Sequence, residues 1–403
     1  SSGNISVHRI QWQLNQLNDL VFPILSETNA TENSVPSMAN YGLRPRKGYD
    51  TNLEPKIVQE EYIEEILKVP GFSEALTVLK NQQRDYLVKA RETRESQFPK
   101  FLFLGTGSCI PNKTRNRDQS FWTVGEGTLG QLLRFYGNEK GQEVLRKLKA
   151  IYISHLHADH HIGLIGILRA RRKCFEEFRE EDKILLLAPQ QISSWLSFYN
   201  QQIDAISQDF VLVPNAEMIP NPLENEKLNE MGIYRVATCF VPHCPHSFGV
   251  AVNLTNGTKV TYSGDTKPSK DLVGIGLNST VLIHEATMED ELEHEALAKM
   301  HSTVSQAIDQ GKAMNAQYTI LTHFSQRYAK LPRIEMPLEE NVGIAFDNME
   351  VTVEDMKYLA KMHEPLKLMF SEHCEEMEQK ALKRAYKKQR LTNSRSSSPV
   401  QKV

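Results

Sequence analysis

Four imidazoles and a carboxylate fall within one short stretch of this chain: His155, His157, Asp159, His160 and His161. Before them runs Leu148-Lys149-Ala150-Ile151-Tyr152-Ile153, an apolar, β-branched segment that predicts a buried strand. After them Ile162 to Leu168 predicts the start of a helix. A strand would therefore deliver these groups into a turn. His155 and His157 sit two residues apart and can grip one ion, and Asp159 and His160 on the following turn can grip a second. Imidazole and carboxylate together suit zinc and related divalent ions.

Four later stretches also place ligand-type residues at the ends of strands or in turns. They are Val241-Pro242-His243-Cys244-Pro245-His246, Ser263-Gly264-Asp265-Thr266, His284-Glu285-Ala286-Thr287 and Leu321-Thr322-His323-Phe324. Alone, each reads as a hydrogen-bonded buried ring or a turn-capping Asp. Beside the central cluster they supply enough ligands for two metals.

The elements that must hold these groups begin near Phe98. Lys100–Leu104 predicts a strand and Gly105-Thr106-Gly107-Ser108 a tight turn. Pro111-Asn112-Lys113-Thr114-Arg115-Asn116 reads as a charged loop able to hold phosphate and base edges. A helix opens after Gly125-Glu126-Gly127, a second with a basic side covers 163–180, and a buried strand at Ile184–Ala188 is followed by a helix at 190–199. Strands flank Asn256-Gly257, a hairpin signal. Further short strands fall at Thr280–Ile283 and Tyr318–Thr322, with His301 starting a helix between them. Residues 1–97 read as a lead-in with helical spacing at 56–68 and 73–96, the part from Asn29 to Tyr49 as loop or disorder. The segment 370–403 reads as a basic helical tail with a disordered end.

The 403 residues have room for one large domain with extensions, or two. With 40% apolar and 24% charged residues the composition is that of a globular protein, and no apolar run of membrane-spanning length occurs. A net charge of −3 leaves any nucleic-acid surface to a local basic patch. Five cysteines without a C-x-x-C fit a reducing compartment. The chain starts Ser1-Ser2-Gly3 without Met, as a fragment or processed form would.

From about Phe98 to Met369 the sequence resembles the metallo-β-lactamase superfamily. Within it the sequence resembles tRNase Z, the tRNA 3′-processing endonuclease, in the catalytic half of the animal long form. The H-x-H-x-D-H signature marks only the superfamily. The Pro111–Asn116 match to P-x-K-x-R-N, the H-E-A-T stretch at His284–Thr287 and His301-Ser302-Thr303 narrow it. The resemblance implies an α/β fold, a four-layer αβ/βα sandwich with a dinuclear site at one edge. It implies that His155, His157 and His243 hold one zinc ion, that Asp159, His160 and His323 hold another, and that Asp265 bridges them, with Mn2+ or Mg2+ as substitutes. His243 is preferred to His246 because the family places a glycine six residues after the ligand, where Gly249 stands.

The resemblance further implies that Asp159 orients the nucleophile and that His301, oriented by Glu285, protonates the leaving oxygen. Lys113, Arg115 and Asn116 would monitor the substrate 3′ end. The partner would be precursor tRNA, without membrane or DNA, in a monomer or dimer, and the location nucleus and mitochondrion. The products would be a 3′-hydroxyl tRNA and a 5′-phosphate trailer. One departure stands out. Between Asn116 and Gly125 the family has two strands ending in Asp-Cys-Gly-Glu-Gly, whereas here only residues 117–124 remain, and Thr123 and Val124 replace the Asp and Cys. Two other readings therefore stay open: an inactive or weakly active RNA-binding variant, and a small-molecule hydrolase of the glyoxalase type.

Overall fold

Alternation along the strands explains the layering. In the strand Ile184–Ala188, Ile184, Leu186 and Ala188 pack into one apolar cluster with Leu132, Leu145, Leu164 and Leu168 from neighbouring helices. Leu185 and Leu187 point the other way, into a larger cluster shared with Val250, Val260, Ile283 and Ile320. Strand Val281–Glu285 repeats the pattern. Val281 and Ile283 enter that same central cluster, while Leu282 faces Leu272 and Met314 on the opposite helices. Successive side chains point to opposite faces of a strand, so two such sheets can share one central core and be sheathed by helices outside. The computed structural model is that four-layer α/β sandwich, and it describes residues 2–24, 40–42, 48–50, 58–108, 124–175, 183–325 and 338–396.

The strands in chain order are β1 (Asn40–Gly42), β2 (Gly48–Asp50), β3 (Lys100–Phe103), β4 (Ala150–Tyr152), β5 (Ile184–Ala188), β6 (Phe210–Pro214) and β7 (Ile233–Phe240). They continue as β8 (Phe248–Leu254), β9 (Lys259–Tyr262), β10 (Val281–Glu285), β11 (Tyr318–Thr322), β12 (Val342–Ile344) and β13 (Met349–Thr352). The larger sheet has the order β12-β11-β10-β9-β8-β7. Its β9–β12 portion is parallel, and β8 is antiparallel to both of its neighbours. Facing it are the parallel β4-β5-β6 and the antiparallel pair β13-β3. Among the described residues no ladder joins β3 to β4. Residues 109–123, which carry most of the shortened stretch, lie between them in sequence and outside the described residues. An apolar cavity of about 240 Å3 opens beside β3, lined by Phe101, Ile233, Val252, Leu254 and Ile283 among others.

Several elements differ from expectation. The helix expected over 163–180 spans Leu164–Arg172, and residues 176–182 lie outside the described residues. The lead-in contributes to the core. Its first residues form the helix Ser2–Asn15, and Leu14, Leu17, Val21 and Phe22 join the central cluster with Phe346, Val351 and Leu366. The stretch expected as loop at 29–49 includes β1 and the start of β2, which pair antiparallel.

The rest of the lead-in follows the helical spacing, at Gln59–Leu67 and Phe72–Thr93. Arg94, just beyond, donates to Asp355 Oδ2 at 2.8 Å and to the carbonyls of Leu20 and Glu350 at 2.6 and 2.9 Å. One guanidinium thereby ties the lead-in to β13, satisfying buried oxygens that would otherwise cost about 1–3 kcal/mol each. The basic tail is a helix, Ser371–Ser396, seated by buried Met377 and Ala381. Among the described residues no helix is long and apolar enough to cross a membrane.

Candidate metal centre

Parallel strands present their carboxyl ends at one edge of a sheet, where side chains of successive loops converge. The motifs follow that rule here. His243 comes three residues after β7, Asp265 three after β9, Glu285 ends β10 and His323 directly follows β11. The facing sheet delivers His155 and His157 from the loop after β4, then Asp159 and His160 from the four-residue helix Ala158–His161. His155, His160, Asp265, Glu285 and His323 are all buried.

The rings close on one another. His157 Nδ1 lies 3.0 Å from His155 Nε2 and 3.1 Å from His243 Nε2. Asp265 sits in the middle. Its Oδ2 is 3.7 Å from His155 Nε2, 3.6 Å from His243 Nε2 and 3.4 Å from His160 Nε2, and its Oδ1 is 3.3 Å from His323 Nε2. Asp159 Oδ2 completes the second group, 3.7 Å from His160 Nε2 and 3.9 Å from His323 Nε2.

Hydrogen bonds on the outer ring atoms turn these nitrogens inward. His243 Nδ1 donates to the Met300 carbonyl at 2.9 Å, and His155 Nδ1 lies 3.0 Å from Ser154 Oγ. With Nδ1 protonated, Nε2 presents a lone pair. Lone pairs and carboxylate oxygens thus face the same small space, and a cation relieves that repulsion. Two sets, His155-His157-His243 and Asp159-His160-His323, with Asp265 reaching both, match the nitrogen and oxygen donors that zinc takes. The residues present fit two divalent ions.

Electrostatics agree. Burial works to raise the Asp265 carboxyl, but the imidazoles of His323 and His160 outweigh it and hold it well below the usual carboxylate range. Burial likewise opposes ionisation of Asp159, and the adjacent His323 and His160 prevail and lower it. His155, enclosed and beside His160, is pushed well down and stays neutral, as a ligand must be.

Next to the ligands lies a His–Glu pair. His301 Nδ1 donates to Glu285 Oε1 at 2.7 Å. That carboxylate is fully engaged. Oε1 also accepts from Thr266 N at 2.9 Å, and Oε2 accepts from Thr287 N at 3.1 Å and Thr287 Oγ1 at 2.6 Å. Burial disfavours the imidazolium of His301, but the adjacent Glu285 charge wins and raises its pKa. The ring lies 4.8 Å from that of His243 and 5.8 Å from that of His323, between the two ligand sets.

The backbone is bent to make this possible. His323 has φ 60 and Gly264 φ 58. A Cβ at Gly264 would sit 2.9 Å from both the Phe248 carbonyl and Ser154 Cβ, so only glycine lets this turn aim Asp265. The metal turn is held through the main chain. Val124 N donates to the His160 carbonyl at 2.8 Å, and Gly163 N donates to the Val124 carbonyl at 2.9 Å. The residue standing in place of the family Cys therefore supports the turn through its peptide groups.

The structure brings together all seven side chains expected as ligands, and Glu285 with His301. His246 stays exposed and apart from them. Lys113, Arg115 and Asn116 lie outside the described residues. Two participants escaped sequence reasoning. Cys244 has its sulfur within 4.8 Å of ligand atoms of His155, His157 and His243, and its adjacency to His243 was the only available signal. Thr287 links His323 to the Glu285–His301 pair, and it was visible only as the last letter of a motif. His284 in that motif is buried and bonds through Nδ1 to the Glu285 carbonyl at 2.7 Å, outside the ligand sets.

A family model described as "Anti-Pycsar protein Apyc1" matches residues 99–334, more than half of the chain. "Ribonuclease Z, mitochondrial" of Drosophila melanogaster is 48% identical, over 96% of this chain and 56% of that protein. "Zinc phosphodiesterase ELAC protein 2" of Macaca fascicularis is 39% identical, over 93% of this chain and 48% of that protein. The chain thus spans about half the length of the curated relatives it matches. A crystal structure of a long form RNase Z from yeast superposes with a TM-score of 0.62 and 28% identity, covering 69% of this chain and 44% of that one. Fold, converging ligands and relatives together place the chain in the family that the Apyc1 model describes, and it belongs to the ribonuclease Z family of metallo-β-lactamase-fold proteins.

Proposed function

We propose that this chain carries the catalytic machinery of a zinc-dependent endoribonuclease that removes 3′ trailers from precursor tRNA. It would leave a 3′-hydroxyl on the tRNA and a 5′-phosphate on the trailer. The observation that carries the reading is the convergence of His155, His157, His243, Asp159, His160 and His323 around Asp265, with the Glu285–His301 pair alongside. The names of the ribonuclease Z relatives support the substrate class.

His155, His157 and His243 would hold one ion, Asp159, His160 and His323 the other, and Asp265 both. When bound, two divalent ions supply Lewis-acid stabilisation of the phosphate oxygens and a water acidified to near-neutral pKa. Asp159, ionised and only partly open to solvent, orients the attacking water. As its oxygen bonds to phosphorus and the P–O3′ bond breaks, His301 gives its Nε2 proton to the departing 3′ oxygen. Glu285 holds the opposite nitrogen and sustains the imidazolium that this requires. Lys113, Arg115 and Asn116 would read the 3′ end of the substrate. The name of the Drosophila relative supports action in the mitochondrion, and the nucleus is proposed from the family likeness.

The test is cleavage of a precursor tRNA carrying a 3′ trailer, with zinc or manganese added and Asp265→Ala as control. The expected result is a single cut after the discriminator base, abolished in the control along with metal retention. Two equivalents of metal without cleavage would overturn the substrate assignment. Failure to retain metal at all would overturn the enzyme reading and favour the inactive variant.

A further inference from the structure

One hydroxyl, that of Thr287, touches both halves of the site. Its Oγ1 lies 2.6 Å from Glu285 Oε2, 2.9 Å from His323 Nδ1 and 3.3 Å from His301 Nδ1. A hydroxyl has a single proton to give and lone pairs to accept with. Glu285 can only accept. Both of its oxygens already accept from main-chain N–H groups, Oε1 from Thr266 at 2.9 Å and Oε2 from Thr287 at 3.1 Å. The Thr287 proton therefore goes to Glu285. His301 Nδ1 is already committed to Glu285 Oε1 at 2.7 Å, so its longer approach to Thr287 is secondary. What remains is His323, whose Nδ1–H must donate to Thr287 Oγ1. That fixes the tautomer of His323 with the Nε2 lone pair turned toward Asp265 Oδ1, 3.3 Å away.

We propose that Thr287 is a positioning residue that sets the metal-binding tautomer of His323 and, through Glu285, the orientation of His301. Metal retention and proton donation are thereby coupled through one oxygen. The arrangement is closed to substitution by solvent, since Thr287, Glu285 and His323 are 4%, 1% and 2% exposed. It also bears on a strained ligand. His323 adopts a left-handed backbone, φ 60, uncommon for a side chain of this size, so its ring direction depends on what holds it. Metal-bound imidazoles in general lose affinity when the partner of their outer nitrogen is removed.

The inference rests on the proposed metal-dependent reading, and its test separates the two. Thr287→Val keeps the shape and removes the hydroxyl, Thr287→Ala removes it with less crowding, and Thr287→Ser restores it. Metal affinity is read by chelator competition on the zinc protein and by the visible spectrum of the cobalt protein, and kcat and KM are measured on precursor tRNA. Thr287→Val, or Thr287→Ala where the valine variant does not fold, is expected to lose about 10–100-fold in affinity for one of the two ions. The same variant should lose kcat at unchanged KM. Thr287→Ser should stay within about fourfold of the parent on every readout, the margin that a lost methyl contact alone allows. Parent-like affinity and spectrum in the hydroxyl-less variants would overturn the proposal. So would a serine variant as impaired as the valine one, because packing would then be the cause. If the parent retains two ions but leaves precursor tRNA uncut, while Thr287→Val releases one ion, the substrate reading falls and this one stands.

Discussion

At the scale of single residues the site separates holding from reacting, and substitutions should separate them too. His301→Ala removes the proton donor without touching a ligand. Metal content should stay at the parent value while kcat falls about 10²–10⁴-fold, the range of general acid catalysis, in single-turnover cleavage assays. Gly264→Ala should do the reverse. Its methyl must push against the Phe248 carbonyl and Ser154, and the left-handed φ disfavours any side chain, so roughly 1–3 kcal/mol of stability should go. Asp265 should shift with it, and chelator competition should show weaker retention beside a lowered melting temperature. The converging side chains were legible because histidines and aspartates after apolar strands are scarce in any sequence. Thr287, Ser154 and the Met300 carbonyl, which turn the rings, were not. Hydroxyls and carbonyls occur everywhere, and only three-dimensional proximity distinguishes these.

At the scale of elements, β4, β5, β9, β10 and β11 were legible from short β-branched apolar runs. Buried parallel strands need no polar face, so their signal survives in the sequence. The helix Ser2–Asn15 carried no such signal, because buried positions near it are amides. Gln11 and Gln13 are 3% and 4% exposed, paid for by bonds to the carbonyls of Pro23 and Tyr62 at 2.8 and 3.0 Å. A hydrophobic pattern cannot report a face built from glutamine.

The helix His363–Met369 offers a pH test. His363 is buried at its start, and burial lowers its pKa from 6.5 to about 4. An unfolded chain therefore binds a proton here more readily than the folded one. This contribution to stability is complete above pH 6.5 and is lost as pH falls from there toward 4. The full shift corresponds to roughly 3 kcal/mol. Denaturant unfolding of the parent between pH 7 and 4.5 should show that slope, and His363→Leu should flatten it.

At the scale of the molecule the central core does not respect the boundary expected at residue 97. Phe22 meets Phe346 edge to face at 6.0 Å, and Glu350 N donates to the Val21 carbonyl at 2.9 Å. Phe22→Ala should therefore cost about 3–5 kcal/mol, as a fully enclosed aromatic does. The loss should appear in the same cooperative transition that releases the metal, followed by tryptophan fluorescence and a zinc-sensitive dye. Two separate transitions would show that the lead-in folds independently.

That long-range seam has a consequence for how the chain is made. Leu14, Leu17 and Phe22 leave the ribosome more than 300 residues ahead of Phe346, Val351 and Leu366, with which they share the central core. At about 5–20 residues per second, the first apolar side chains wait roughly 15–65 s for the surface that will cover them. During that interval they are the natural target of a chaperone that binds exposed apolar segments. The later residues complete a core that the earlier ones have been holding open.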